Sequence, residues 1–194
     1  MAKVVVHVTM SLDGFMAGPR ASVESPMGEG GLRLHEWVFN ASDGGPDGEV
    51  MRELSAATRA VVLGRRTFDV GVGVWEDTPF PAPSFVVTHE RRPPMPMKSA
   101  TFTFVDDGLA SAVRQARAVA GEGNVVVMGA DVTQQALRAG LVDEIDLQLA
   151  PVLLGDGLRL FDHLGRCRVE LQRIRVIESP YVTHLRYRVM TPSS

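Results

Sequence analysis

The stretch that most constrains the fold is Val61-Val62-Leu63-Gly64-Arg65-Arg66-Thr67-Phe68. Its three leading apolar residues, two of them β-branched, have the density of a buried strand end. Gly64 permits a tight turn, and Arg65, Arg66 and Thr67 open a helix. The first turn of a helix leaves backbone N–H groups unpaired and carries the positive end of the macrodipole, so it attracts anions. Two arginines and a hydroxyl at that point suit phosphate. Taken alone, the stretch is equally a solvated helix start whose arginines bind nothing. A second strand, Asn124–Met128, ends in the same way at Gly129 and opens a helix over Asp131–Ala139. Strand, glycine and polar helix start, used twice, predict a chain that grips a nucleotide at two points.

The rest of the chain frames these two turns. Its 194 residues fit one domain, long enough to bury about 70% of the unfolded surface. A net charge of -3 with scattered Lys and Arg argues against a nucleic-acid or anionic-membrane partner. The single cysteine, Cys167, allows no internal disulfide and suits a reducing cytoplasm. No signal peptide or membrane-spanning run is read.

In chain order, Val4–Met10 is apolar enough for a central strand covered on both faces. Ser11-Leu12-Asp13-Gly14 breaks it and leads into a long Gly-, Ser- and Pro-rich loop. There Leu32–Phe39 predicts one helical turn, with Trp37 as either a pocket wall or an anchor. Apolar spacing predicts a helix over Asp47–Ala60 and, after the Gly64 turn, a short helix ended by Gly71 and Gly73. Ser84–Thr88 and Thr101–Val105 read as strands, with prolines 93 and 94 excluding regular structure between them. Asp106 or Asp107 is expected to cap a helix through Val119. Ile145, Leu147 and Leu149 alternate with Glu144, Asp146 and Gln148, predicting a strand with one wet face. Leu185–Val189 alternates likewise, and Val169–Val176 slips phase by one before Ile174, as at a bulge. Buried strands first and alternating strands last predict a mixed, mostly parallel sheet with helices on both faces and an antiparallel edge.

Several chemistries are absent. The third glycine of G-x-G-x-x-G fails at every candidate, and no P-loop or G-x-S-x-G elbow occurs. The five histidines, at 7, 35, 89, 163 and 184, lack paired metal-ligand spacing. Nucleotide grip without a reactive side chain suits hydride transfer, where a nicotinamide supplies the chemistry. Arg65, Arg66 and Thr67 would take phosphates. Thr88, His89 and Arg91 would take the adenosine end, including a 2′-phosphate opposed only by Glu90. NADPH is therefore expected over NADH by at least tenfold. Thr9 and Met16 would face the nicotinamide.

Taken together, Ser11-Leu12-Asp13-Gly14, Val62–Phe68, Val127-Met128-Gly129, Leu137–Glu144 and Pro151–Gly155 with Arg159-Leu160-Phe161 resemble the dihydrofolate reductase-like superfamily. The branch is that of the C-terminal reductase domain of bacterial riboflavin biosynthesis. The resemblance spans nearly the whole chain in the family's order. It implies a three-layer α/β fold in which the Gly-Arg-x-Thr turn binds NADPH phosphates. It also implies that the later glycine turn, here Met128, Gly129, Ala130, Asp131 and Val132, packs on the cofactor. Two adjacent glycines are usual there; Ala130 stands in place of the second and is expected to crowd the ligand. An early helix acid falls near Asp47, although Gly44, Gly45 and Gly48 predict an exposed helix start.

The expectation is an NADPH-dependent reductase of a small heterocycle, resembling 5-amino-6-(5-phosphoribosylamino)uracil reductase or dihydrofolate reductase. Substrate would lie between Trp37 and the Ser11–Met16 turn, with a proton from Asp47, Asp13 or water. The alternative is an NADP-binding protein of this fold that no longer catalyses. A homodimer is expected through the strands after Gly140, because Ile145–Leu149 is too apolar for a bare edge and relatives of the riboflavin type are usually dimers.

Overall fold

The computed structural model describes residues 2–42, 44–166 and 168–190, so Cys167 falls outside the described residues. The chain begins with β1 (Val4–Ser11) and β2 (Phe15–Ala17), then a 3-10 turn at Gly31–His35 running into α1 (Glu36–Phe39). Next come α2 (Pro46–Ala57), β3 (Thr58–Gly64), α3 (Arg65–Trp75), β4 (Ser84–Val87), β5 (Met95–Pro96) and β6 (Thr101–Val105). The last elements are α4 (Leu109–Ala120), β7 (Asn124–Met128), α5 (Ala130–Arg138), β8 (Glu144–Ala150), β9 (Leu158–Arg159), β10 (Glu170–Glu178) and β11 (Thr183–Met190).

Among the described residues one nine-stranded sheet has the order β10-β11-β8-β1-β7-β3-β4-β6-β5, and β2 pairs with β9 in a separate ribbon. From β8 to β6 all neighbours are parallel. β11 joins β8 antiparallel, β10 joins β11 antiparallel, and β5 joins β6 antiparallel. This is the mixed, mostly parallel sheet with antiparallel C-terminal strands expected from the sequence. The phase slip is also present: the β10–β11 register shifts between Arg173 and Arg175.

Side chains alternate across each strand, so the sheet carries a core on each face. Val4, Val6 and Val8 pack with Val125, Val127 and Ile145 under α4 and α5. On the other face Val61, Leu63 and Val86 pack with Phe68 of α3. Leu34, Trp37, Ala150 and Val182 form a third cluster beside it, under the turn that leads into α1. Helices on both faces of one sheet give three layers.

Several boundaries differ from the sequence reading. α3 continues through Gly71 to Trp75, because the missing Cβ at Gly71 leaves room for the Trp75 ring, whose atoms lie 2.3 Å from where that Cβ would be. The N-cap of α4 is Gly108, not an aspartate, and it makes no side-chain capping bond. The wet face expected on β8 is dry: Glu144 and Gln148 are buried, because β8 lies between β1 and β11 and its polar face is covered. Ile145–Leu149, too apolar for a bare edge, is an interior strand paired with Leu185–Val189, and the bare edge on that side of the sheet is β10. No helix among the described residues is long and apolar enough to cross a membrane.

Candidate functional site

Parallel strands deliver the chain to one edge of the sheet, and in open α/β sheets that C-terminal edge is where ligands bind. α3 starts directly after β3, α4 follows β6, and α5 follows β7. All three helix starts line one cavity of about 670 Å³ through Gly64–Thr67, Gly108–Leu109 and Gly129–Val132. Each is N-capped by a glycine, and none has a side-chain capping bond. First-turn N–H groups that would elsewhere be satisfied by Ser, Asp or Asn are left for another acceptor. Three positive dipole ends then act on one volume, which suits a molecule carrying several negative charges.

Gly129 has two reasons to be glycine. Its φ of 102° lies in the region that disfavours side chains, and an added Cβ would stand 2.3 Å from the Thr67 hydroxyl. The starts of α3 and α5 therefore touch through Gly129 and Thr67. Ala130 begins α5 with no positive φ and is buried against the cavity wall, so the backbone accepts an alanine where a second glycine was expected.

Charge in the cavity is mixed. Arg65 donates from Nε to both Asp69 oxygens, at 2.8 and 2.9 Å, and from Nη1 to Glu90 at 2.7 Å. Hydrogen bonding to Arg65 holds the Glu90 carboxyl below its ordinary value. Arg66 donates to the Ala21 carbonyl at 3.1 Å, tying the long loop after β2 to the cavity mouth. Thr88, His89, Asp106 and Asp131 complete the polar lining. Arg91 turns away: its exposed side chain pairs with Asp106 at 2.8 Å and does not line the cavity.

Of the residues expected to meet cofactor or substrate, Thr9, Ser11, Met16, Trp37 and Met128 do not line this cavity. Trp37 is 2% exposed, donates from Nε1 to Thr9 Oγ1 at 3.0 Å, and so anchors its loop to β1. Ser11 donates to Asp13 and accepts from the Phe15 amide, locking the turn after β1. Asp13 also accepts from the amides of Leu154 and Gly155 at 3.1 and 2.7 Å. The Ser11 hydroxyl leads the causes that hold its pKa at about 2. Through these bonds Asp13 pins the β8–β9 loop to the turn after β1.

Asp47 is not exposed, as its glycine neighbours implied, but 5% exposed, with Oδ1 2.7 Å from His184 Nε2. The imidazole of His184 meets the Trp37 ring edge-on at 5.2 Å. Around this pair the sheet face carries Asp146, which accepts from Gln148 at 3.1 Å, and Glu144, which accepts from Lys3 and Arg186. Burial works against the Asp146 charge, yet His7, Arg186 and His184 outweigh it and keep its carboxyl below the ordinary value. Among the described residues, His184 Nδ1, His35 Nδ1 and Gln148 Oε1 are buried with no hydrogen-bond partner. The sequence reading missed His184, because only the β8–β11 pairing brings it 137 residues back to Asp47. It also missed Gly108, although strand, glycine and helix repeat there a third time.

A dihydrofolate reductase-like domain is the class that this sheet order and glycine-capped edge define. The family model described as RibD C-terminal domain matches residues 2–183, and the chain belongs to that family. A riboflavin biosynthesis protein from Shewanella sp. PV-4, described as putative in its crystal structure, is similar at TM-score 0.74 and 21% identity over 98% of this chain and 100% of that one. A bifunctional diaminohydroxyphosphoribosylaminopyrimidine deaminase/5-amino-6-(5-phosphoribosylamino)uracil reductase from Thermotoga maritima is similar at TM-score 0.65 and 16% identity. There the match covers 97% of this chain but 57% of that one. Dihydrofolate reductase from Enterococcus faecalis, solved with NADP(H), gives TM-score 0.56 and 15% identity, over 96% of each chain. Comparison with curated proteins finds no match. The family and these neighbours support a reductase of this fold.

Proposed function

We propose that the chain is an NADPH-dependent reductase acting on a small heterocycle. One observation carries the reading: three glycine-capped helix starts converge on a single cavity at the C-terminal sheet edge. The donor set fits a dinucleotide. N–H groups after Gly64 and Gly129, with Arg66 and Thr67, would hold phosphates, while Thr88 and His89 would border the adenosine. Bound nicotinamide would supply the hydride. Beside β1, the buried nitrogens of His184 and His35 that lack a partner are groups that a polar ring could satisfy. The Asp47–His184 pair would hold the proton that balances the hydride.

NADPH oxidation against a panel of pterins, pyrimidines, quinones and flavins tests the reading. Turnover of a pyrimidine or pterin is expected. Asp47→Asn should lower kcat by about 10²-fold or more while leaving NADPH binding unchanged. The burial of Trp37 and Asp47 favours a second reading, an NADP-binding protein without turnover. NADPH binding with no oxidation across the panel would establish it. We further propose a homodimer formed through the strands after Gly140, at the exposed edge strand β10.

A further inference from the structure

Resting on the nucleotide reading, we infer that Glu90 sets how strongly the cavity prefers a nucleotide with a 2′-phosphate over one with a free 2′-hydroxyl. β3 and β4 are neighbours in register, with Gly64 beside Val87. Arg65, one residue past β3, therefore faces Glu90, three residues past β4, across a single strand spacing. The 2.7 Å bond between them lies in the cavity wall beside Thr88 and His89. Asp69 takes the Nε side of the same guanidinium.

The two partners of this pair have opposite tastes. A carboxylate accepts a hydrogen bond from a ribose 2′-hydroxyl, whereas a guanidinium grips a 2′-phosphate. A 2′-hydroxyl can join the pair without breaking it. A 2′-phosphate that takes the remaining N–H groups of Arg65 is left with the Glu90 charge beside a dianion. Arg91, the next cation along, does not itself line the cavity and is already paired with Asp106 at its wall. Glu90 thus restrains the preference for the phosphorylated nucleotide that Arg65 creates. Its side chain is 69% exposed, so replacing it disturbs no core contact.

Calorimetric titration of the full chain with adenosine 2′,5′-bisphosphate and with 5′-AMP tests this without turnover. In Glu90→Gln, which keeps a hydrogen-bonding group beside Arg65 but not the charge, the bisphosphate:AMP affinity ratio should rise about tenfold. In Arg65→Ala the ratio should fall at least tenfold, and the same order should hold for NADPH against NADH. A Glu90→Gln ratio within twofold of the parent, or below it, with both probes still binding, overturns this inference and leaves the nucleotide reading standing. If neither adenosine probe nor either dinucleotide binds the parent chain, the nucleotide reading itself falls and this inference with it.

Discussion

His184 Nε2 lies 2.7 Å from Asp47 Oδ1, both groups almost wholly buried, on elements 137 residues apart. The bond joins the first turn of α2 to β11 and so closes the layer that covers the polar sheet face. Removing one partner leaves the other buried and unmatched, at a cost of about 1–3 kcal/mol. Asp47→Ala should therefore lower the unfolding free energy by about 2 kcal/mol in urea titrations, and Asp47→Asn by less. A loss under about 0.5 kcal/mol would show that the pair does not support the fold.

Arg66 engages a backbone carbonyl, and among the described residues it forms no ion pair with a carboxylate. A charged hydrogen bond from it to phosphate contributes roughly 1.5–3 kcal/mol. Arg66→Ala is expected to weaken NADPH about ten- to a hundred-fold with little change in melting temperature. Equal affinities in parent and variant would remove Arg66 from the phosphate grip.

Gly129→Ala faces both a φ of 102° and the Thr67 hydroxyl. It should destabilise the domain by about 1–3 kcal/mol and weaken nucleotide binding. Adding Thr67→Ala should recover the steric part and leave the backbone part. Denaturation of the four proteins of the double-mutant cycle measures the two parts, and full recovery would show that φ is irrelevant.

His35 and Asp13 contribute to the acid limb of stability beside the depressed carboxyls of Glu144, Asp146 and Glu90. Burial holds the His35 imidazole below its ordinary 6.5. The unfolded chain takes up that proton first, so stability declines as pH falls below about 6.5. Asp13 is depressed from 3.8 to about 2 by Ser11 and the Leu154 and Gly155 amides. Its stabilisation is complete above the unfolded value and is lost as pH falls from about 4 toward 2. Melting temperature followed against pH should show both declines. His35→Leu should flatten the upper one and Asp13→Asn the lower.

Strand β10 is an exposed edge carrying Leu171, Ile174 and Val176. Bare edges of this length pair with other chains unless protected. Light scattering at micromolar concentration should give twice the 21.0 kDa chain mass. A Leu171→Lys, Val176→Lys variant should return it to one chain. A parent mass near one chain would end the dimer proposal.

The parallel sheet, both glycine turns and the β10 bulge were legible because each is written in adjacent residues. Apolar density marks a buried strand, Gly64 and Gly129 mark tight turns, and a one-residue phase slip marks the bulge. The α4 start was misread because Asp106 and Asp107 are good caps by type. Yet Asp106 faces Arg91 and the helix begins after Gly108. Local preference yields there to a partner supplied by the loop after β4.

The Glu144-Asp146-Gln148 alternation shows where local reading ends. Taken alone, it predicts a wet face, since charges are rarely buried unless paired. Only the tertiary structure brings Lys3, His7, His184 and Arg186 to those carboxylates, turning a solvent face into a polar interior. It likewise brought Asp47 under cover and matched Glu90 to Arg65. The sequence by itself determined which strands are buried, where the chain turns and which helix starts could hold an anion, because backbone conformation and hydrophobic density are local. Which charges meet was decided by strand order, since pairing partners lie tens to more than a hundred residues apart and no local pattern encodes their distance.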